Sequence, residues 1–308
     1  MLGIIGPTAS GKSAVAEYVA QKLSGRILSV DAFQVYKGMD IGTAKVPHQD
    51  RSVAYDMIDC VDITAPYSVA LYQRAARACI EKNKRCGVDT ILCGGAGFYL
   101  DALIDDIDFI PSANYYEEYL SAHGKDALHR LLREKDPKSA EIISASNPRR
   151  VIRALEMLEH NTTYTQRNAT LKRHKPFYSL ALYTLEWPRE VLFERINKRV
   201  DDMFDNGLVD EVIALKDQLC AATTAAQAIG YKEILEWLEP GKNTLSEDEI
   251  NKVKTLIKKR TRNYAKRQLS WLRRDGRARP IAALNKDAQE IGEEILQDFH
   301  RQQKAPRC

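Results

Sequence analysis

Gly6-Pro7-Thr8-Ala9-Ser10-Gly11-Lys12-Ser13 fits G-x-x-x-x-G-K-[ST], the loop that cradles phosphates. Its flanks agree with that reading. Leu2 to Ile5 is a short apolar run that predicts a buried strand, and Ala14 to Leu23 follows with apolar residues at helical spacing. Strand, glycine-rich turn and helix is the arrangement the motif needs. Its glycines let backbone N–H groups curl around phosphate oxygens, and the helix N-terminus adds its positive dipole end. Lys12 would reach the outer phosphate and Ser13 would ligate Mg²⁺. The motif therefore asks for a diphosphate or triphosphate and leaves the chemistry open.

The chain has 308 residues, enough for one large or two ordinary domains. Its formal charge is only +4, so a nucleic-acid site would have to come from local clustering. Cys60, Cys79, Cys86, Cys93, Cys220 and Cys308 form no C-x-x-C pair, and no histidine cluster accompanies them. They predict reduced, mostly buried thiols of a cytoplasmic protein. No apolar run approaches membrane-spanning length, and residue 2 already begins the first strand, so neither a membrane span nor a signal peptide is expected.

Arg26 to Val30 predicts a second strand, ending at Asp31. In open α/β sheets ligands bind at the carboxyl ends of strands, so Asp31 would share a crevice with the P-loop. A carboxylate there can equally be a helix cap. Thr90 to Cys93 predicts a buried strand that runs into Gly94-Gly95-Ala96-Gly97, small residues that allow close backbone approach. No carboxylate stands at this strand end, where P-loop hydrolases hold Mg²⁺.

From Pro111 to about Lys175 the character changes to helices separated by Gly124, Asp136-Pro137 and Asn147-Pro148, with Arg149, Arg150 and Arg153 at one helix start. Asn161 to Lys175 carries little helix or strand signal. This predicts a helical insertion over 111–177 in an α/β core of 1–110 and 178–308. Ser179 to Leu185 returns as a strand. The helix after it presents Arg195 and Arg199 on one face, four residues apart, a spacing suited to covering transferring phosphates. Lys252 to Arg274 is rich in Lys and Arg, holds no acid and includes Tyr264 and Trp271, a composition suited to a phosphate backbone.

Together these stretches, with Pro66-Tyr67-Ser68, Asn147–Glu156, Gly230-Tyr231-Lys232 and Tyr264-Ala265-Lys266-Arg267-Gln268, closely resemble the tRNA dimethylallyltransferases. The resemblance runs from residue 3 to about residue 275. It implies a P-loop NTPase-like parallel sheet flanked by helices, with an inserted all-helical tRNA-binding domain. It implies that dimethylallyl diphosphate and Mg²⁺ bind at the P-loop, and that a monomer acts on the anticodon stem-loop of tRNA in the cytoplasm. The N6 amine of the adenosine just 3′ of the anticodon would attack the allylic carbon, with diphosphate leaving. Lys12, Mg²⁺ on Ser13, and Arg199 would neutralise the leaving group, Arg195 would either assist or only orient, and Asp31 would be the base.

By the same resemblance Asp31, Ala32, Phe33, Gln34, Ala96, Arg149, Val151, Ile152, Arg150, Arg153, Gln227, Ala228, Ile229, Gly230, Tyr231 and Lys232 would contact tRNA. Ala96 stands where the family usually has Thr, so a hydroxyl near the substrate base is missing. Eukaryotic members add a C-terminal zinc finger, and the ligands for one are missing here, which implies a bacterial-type enzyme. Three competing readings share parts of this pattern: an isopentenyltransferase using free AMP, ADP or ATP, a small-molecule P-loop kinase, and a non-catalytic RNA-binding protein.

Overall fold

The computed structural model describes residues 1–110, 115–171, 174–238 and 244–304. Pro111, the Pro240-Gly241 break and Cys308 lie outside the described residues. The chain separates into two compact units, Met1–Ile104 with Tyr178–Cys308, and Asp105–Phe177.

The first unit begins β1 (Leu2–Ile5), α1 (Lys12–Lys22), β2 (Arg26–Val30), β3 (Tyr55–Asp56), α2 (Val69–Arg85), β4 (Thr90–Gly94) and α3 (Gly97–Ile104). The second unit follows as α4 (Tyr115–Lys135), α5 (Pro137–Ile142), α6 (Pro148–Glu159) and α7 (Tyr164–Leu171). The first unit resumes with β5 (Ala181–Glu186), α8 (Arg189–Asp205), α9 (Leu208–Ala214), α10 (Lys216–Ala221), α11 (Tyr231–Leu235), α12 (Glu247–Asp275), β6 (Arg279–Ala282) and α13 (Ala288–Lys304).

The six strands form one sheet in the order β3-β2-β4-β1-β5-β6, and every pairing is parallel. The chain leaves β1 toward β2 on one side and leaves β4 toward β5 on the other. β1 and β4 therefore flank the switch point at which ligand crevices form in such sheets. Their register pairs Ile5 with Gly94, which sets the P-loop beside the β4 exit.

Alternating strand residues feed two cores, as a sheet covered on both faces requires. Ile4, Ile27, Ile91 and Tyr183 pack with Val15 and Val19 of α1 and Ile291 and Ile295 of α13. Ile5, Leu28, Leu92 and Leu182 pack on the other face, in the cluster that holds Tyr72 of α2, Leu100 of α3 and Ile257 of α12. In the helical unit Tyr116, Leu128, Leu132, Val151, Ile152 and Leu155 form a separate core.

Helix starts follow their caps. Asn147 accepts from Arg150 N–H at 3.2 Å with Pro148 in the first turn, and Ser246 and Glu249 form a capping box for α12. Gly124, at φ 79, breaks α4 between the two helices that the sequence predicts there. α7 was not expected. None of its described side chains is buried, so no apolar period marks it. Its signal is Thr163-Tyr164-Thr165-Gln166, a reciprocal cap in which Thr163 N–H donates to Gln166 Oε1 at 3.0 Å and Gln166 N–H to Thr163 Oγ1 at 3.1 Å. β3 and β6 were also missed. The first has two residues, and the second buries only Ile281. Cys60, Cys86 and Cys220 are exposed free thiols, against the expectation that most would be buried. Among the described residues no helix is long and apolar enough to cross a membrane.

Candidate active site

The P-loop leaves β1 and turns directly over the sheet. Gly6 N–H donates to Gly94 carbonyl at 3.1 Å, tying the two strand exits together. Ala9 is held at φ 62 and Gly11 at φ 87, so the loop contains a non-glycine residue in the left-handed region. Such strain persists only where surroundings enforce it, and it clusters at ligand sites. Gly11 caps α1, which puts Lys12 and Ser13 at that helix's positive end.

The loop is braced from outside. Trp187 Nε1–H donates to Ser10 carbonyl at 2.9 Å, and Arg195 Nε–H donates to Ala9 carbonyl at 2.9 Å. The Arg195 guanidinium lies 4.2 Å from the Trp187 ring centroid. Arg195 therefore braces the loop backbone, while Arg199, one turn further along α8, lines the cavity. From α12, Gln268 joins the two loops. Its Oε1 accepts from Thr8 N–H at 2.9 Å, and its Nε2–H donates to Gly95 carbonyl at 2.8 Å. Gly95 has no room for a side chain, because a Cβ there would stand 2.4 Å from Gln268 Nε2 and 2.5 Å from Gly6 carbonyl. The small residues after β4 thus serve close approach to the P-loop.

A cavity of about 280 Å³ opens above these loops. Lys12, Ser13, Asp31 and Arg199 line it together with Phe33, Gln34, Gln227, Ala228, Ile229, Tyr264 and Arg267. Burial pulls the Lys12 ammonium below its ordinary pKa; the Cys93 thiol opposes this, Arg199 adds to it and Asp31 opposes it. Burial likewise lowers the Arg199 guanidinium, with Asp31 working against it. The Arg199 Nε–H is buried and has no hydrogen-bond partner among the described residues. A site that keeps two cations partly desolvated is arranged for an anion. Lys12 Nζ donates to Pro7 carbonyl at 3.2 Å. The thiol of Cys93, at the end of β4, is pushed up to about 11 by burial, with Lys12 and the Ser13 hydroxyl working the other way.

Asp31 Oδ1 accepts from Phe33 N–H at 2.8 Å and from Gln34 N–H at 3.3 Å. Oδ2 makes no hydrogen bond among the described residues. Asp31 is thus both the cap of its loop and a carboxylate on the cavity. Gln34 is fixed between Ser29 Oγ–H, which donates to it at 2.7 Å, and Thr43 carbonyl, to which it donates at 3.1 Å. Ala32 and Ala96 are partly exposed.

Glu211, on α9, was not singled out by the sequence. Its carboxylate accepts from the N–H groups of Asp40 at 3.0 Å, Ile41 at 2.8 Å and Gly42 at 3.3 Å, and from the Tyr231 hydroxyl at 2.5 Å. It clamps the 40–42 loop to the 230–231 segment. Tyr231 is fully buried, and a Cβ on Gly42 would stand 2.4 Å from its ring. The tRNA contact expected of the Tyr231 side chain is therefore corrected to a strut. Gly230 N–H donates to Glu233 at 2.7 Å, while Lys232 Nζ donates to Gln227 at 3.4 Å.

In the helical unit Arg149 and Arg150 are exposed. Arg153 pairs with Glu156 at 3.0 Å and donates to Ile110 carbonyl at 2.6 Å. Val151 and Ile152 point into that unit's core, so their side chains cannot meet a ligand there, which corrects the contact expected of them.

The basic run on α12 divides. Lys258 pairs with Asp201 at 2.6 Å, Arg260 with Glu233 at 2.9 Å, and Arg262 bonds Asn197. These cations tie α12 to α8 and α11 and do not form the open phosphate-facing surface expected of the whole run. Lys259, Lys266, Arg273 and Arg274 are exposed.

The parallel sheet, the switch-point crevice and the braced glycine loop define a P-loop α/β protein whose cavity gathers cations and backbone N–H groups suited to a phosphate chain. The family model described as IPP transferase matches residues 34–275. Over 304 residues the chain is 41% identical to the tRNA dimethylallyltransferase of Carboxydothermus hydrogenoformans, covering 95% of each. Its structure is similar to the crystal structure of tRNA delta(2)-isopentenylpyrophosphate transferase from Staphylococcus epidermidis, at 33% identity and a TM-score of 0.70 over 98% of each chain. It is also similar to a eukaryotic dimethylallyltransferase acting on tRNA, at 26% identity and a TM-score of 0.82 over 98% of this chain and 79% of that one. The chain belongs to the IPP transferase family.

Proposed function

We propose that this chain transfers a dimethylallyl group from dimethylallyl diphosphate to the N6 amine of the adenosine just 3′ of the anticodon in tRNA, acting as a monomer in the cytoplasm. The observation that carries the reading is the single cavity in which the P-loop, Lys12, Arg199 and Asp31 meet Gln227–Ile229. The amine nitrogen forms a bond to the allylic carbon as that carbon's bond to the diphosphate oxygen breaks, and the bonding pair leaves with the diphosphate. Lys12 and Arg199 hold the charge that grows on the leaving oxygens. The amine proton passes to Asp31 Oδ2, the oxygen left free by the loop cap. The target base leaves its stack to reach the cavity, as in other base-modifying enzymes. Arg149 and Arg150, with the exposed cations of α12, meet RNA phosphates.

The donors present suit Mg²⁺. Ser13 offers a hydroxyl on the cavity, and Mg²⁺ ordinarily takes one or two protein ligands with substrate phosphates and water. Bound there, the ion would neutralise charge on the diphosphate. The chain has Cys93 at the strand end where hydrolases keep a carboxylate, which agrees with a reaction that positions no water.

The test is transfer of labelled dimethylallyl to unmodified tRNA, to an anticodon stem-loop and to AMP in parallel. Labelling of tRNA and of the stem-loop, falling steeply with salt, is the expected result. Efficient labelling of AMP without salt dependence would overturn it in favour of a free-nucleotide isopentenyltransferase.

A further inference from the structure

We infer that Gln268 is a positioning residue for the diphosphate: its side-chain amide sets the first half of the P-loop through the Thr8 N–H. The inference rests on the reading of the P-loop as the diphosphate site. Thr8 and Gln268 are 260 residues apart in the chain, and the 2.9 Å bond between Thr8 N–H and Gln268 Oε1 joins the phosphate loop directly to α12. The same amide donates to Gly95 carbonyl at 2.8 Å, and Tyr264, one turn before it on α12, lines the cavity beside it. Gln268 itself is buried, so its two amide arms depend on these partners.

The geometry is specific to an amide. The side chain accepts on one arm and donates on the other, across a gap between two loops that already approach each other through Gly6 N–H and Gly94 carbonyl at 3.1 Å. A carboxylate would set an acceptor against the Gly95 carbonyl, and an apolar side chain would leave both loops unpaired. Trp187 and Arg195 brace the loop further along, at Ser10 and Ala9. Without Gln268 the first half of the loop would keep its ties at Gly6 and Pro7 but lose the one at Thr8, whose N–H would be freer to turn.

A loop held in shape before the ligand arrives binds the diphosphate without first having to order itself. Its loosening therefore weakens diphosphate binding and raises the KM for dimethylallyl diphosphate, and kcat falls as well to the extent that the loop holds the charge growing on the leaving oxygens. It does not touch the RNA. That split separates positioning from a merely structural role, which would lower the active fraction and leave both KM values where they were.

The experiment compares the wild type with Gln268→Met, close in size but without either polar arm, and with Gln268→Asn, which keeps the amide on a shorter stem. Binding of inorganic diphosphate is measured by calorimetry, together with both KM values and hydrogen exchange of the segment containing Thr8. In Gln268→Met the diphosphate Kd and the KM for dimethylallyl diphosphate should each rise about tenfold, the weight of one hydrogen bond. The KM for tRNA should stay within about twofold and Thr8 should lose its exchange protection. Gln268→Asn should show the same split, and it supplies the comparison if the methionine variant does not fold. Unchanged diphosphate affinity with Thr8 still protected, or an equal rise in both KM values, would overturn the inference. The wild type's own diphosphate affinity tests the P-loop reading separately, since the inference concerns only the ratio of variant to wild type.

Discussion

Replacing Arg199 by Met separates a residue kept for chemistry from one kept for stability. The Arg199 Nε–H is buried and has no hydrogen-bond partner among the described residues, and burial already works against the charge of its guanidinium. A buried donor left unpaired costs about 1–3 kcal/mol. Methionine keeps much of the apolar stem and removes that cost, while some packing is lost. A net gain of about 1 kcal/mol would raise the apparent melting midpoint by about 2–4 °C in a unit of this size. Transfer should move the other way. Arg199 lines the cavity beside Lys12, and losing one preorganised donor to a developing oxyanion costs about 10²–10³ in rate. The assays are thermal unfolding by circular dichroism and single-turnover transfer of labelled dimethylallyl at saturating tRNA. A variant that melts lower and transfers normally would refute this account, because Arg199 would then be a tie within the fold.

Lys12 should govern the alkaline limb of kcat/KM for dimethylallyl diphosphate, which will lie below pH 10.5 because burial lowers its pKa. For stability the sign is opposite to that of a paired lysine. Between its lowered folded pKa and 10.5 the unfolded chain holds more protons, so the destabilising contribution of Lys12 is present at lower pH and is relieved as pH rises through that window. The Cys93 thiol works against the lowering of Lys12, so Cys93→Ser should carry the limb to lower pH, and a limb that does not move would reassign the titration. Asp31→Asn keeps the Oδ1 acceptor for Phe33 and Gln34, so the fold should hold while single-turnover transfer falls about 10²-fold or more; near-normal transfer would leave Asp31 as a cap only. Lys266→Glu with Arg273→Glu should raise the KM for tRNA and flatten its salt dependence, whereas Lys258→Glu sets a carboxylate against Asp201 and should lower the melting midpoint instead. Equal effects of the two on tRNA would refute the division of α12 into paired and free cations.

The parts of the fold that could be read from the chain are those whose causes are local. The P-loop is eight consecutive residues. The breaks at Gly124, Asp136-Pro137 and Asn147-Pro148 act on the turn that follows them. Asp31 could be placed because a strand end and a sheet rule fix it. What could not be read depends on contacts distant in sequence. Glu211 looks like any acid on an amphipathic helix, and only the fold brings the N–H groups of Asp40, Ile41 and Gly42 to it. Gln268 belongs to a recognisable stretch, yet nothing local says that its amide faces Thr8. Arg195 and Arg199 share a helix face, and it took the packing of Trp187 to assign one to the loop backbone and the other to the cavity.

α12 shows why a basic run cannot be read from composition alone. At about 100° per residue, Ile257, Thr261, Tyr264 and Gln268 fall on one side of the helix, and all four line the cavity. Lys259, Lys266 and Arg273 recur every seven residues on the far side and stay exposed. Lys258 and Arg262 lie between these faces and reach Asp201 and Asn197 of α8, the helix that carries Arg199. Charge on the flank of α12 therefore orders the helix that presents Arg199 to the cavity. Charge on its outer face stays exposed, and its inner face holds the P-loop through a neutral amide. Helical period divides a stretch that looks uniformly basic in sequence into three jobs: charge is paired on the flank, exposed on the outer face and absent from the inner face at Gln268.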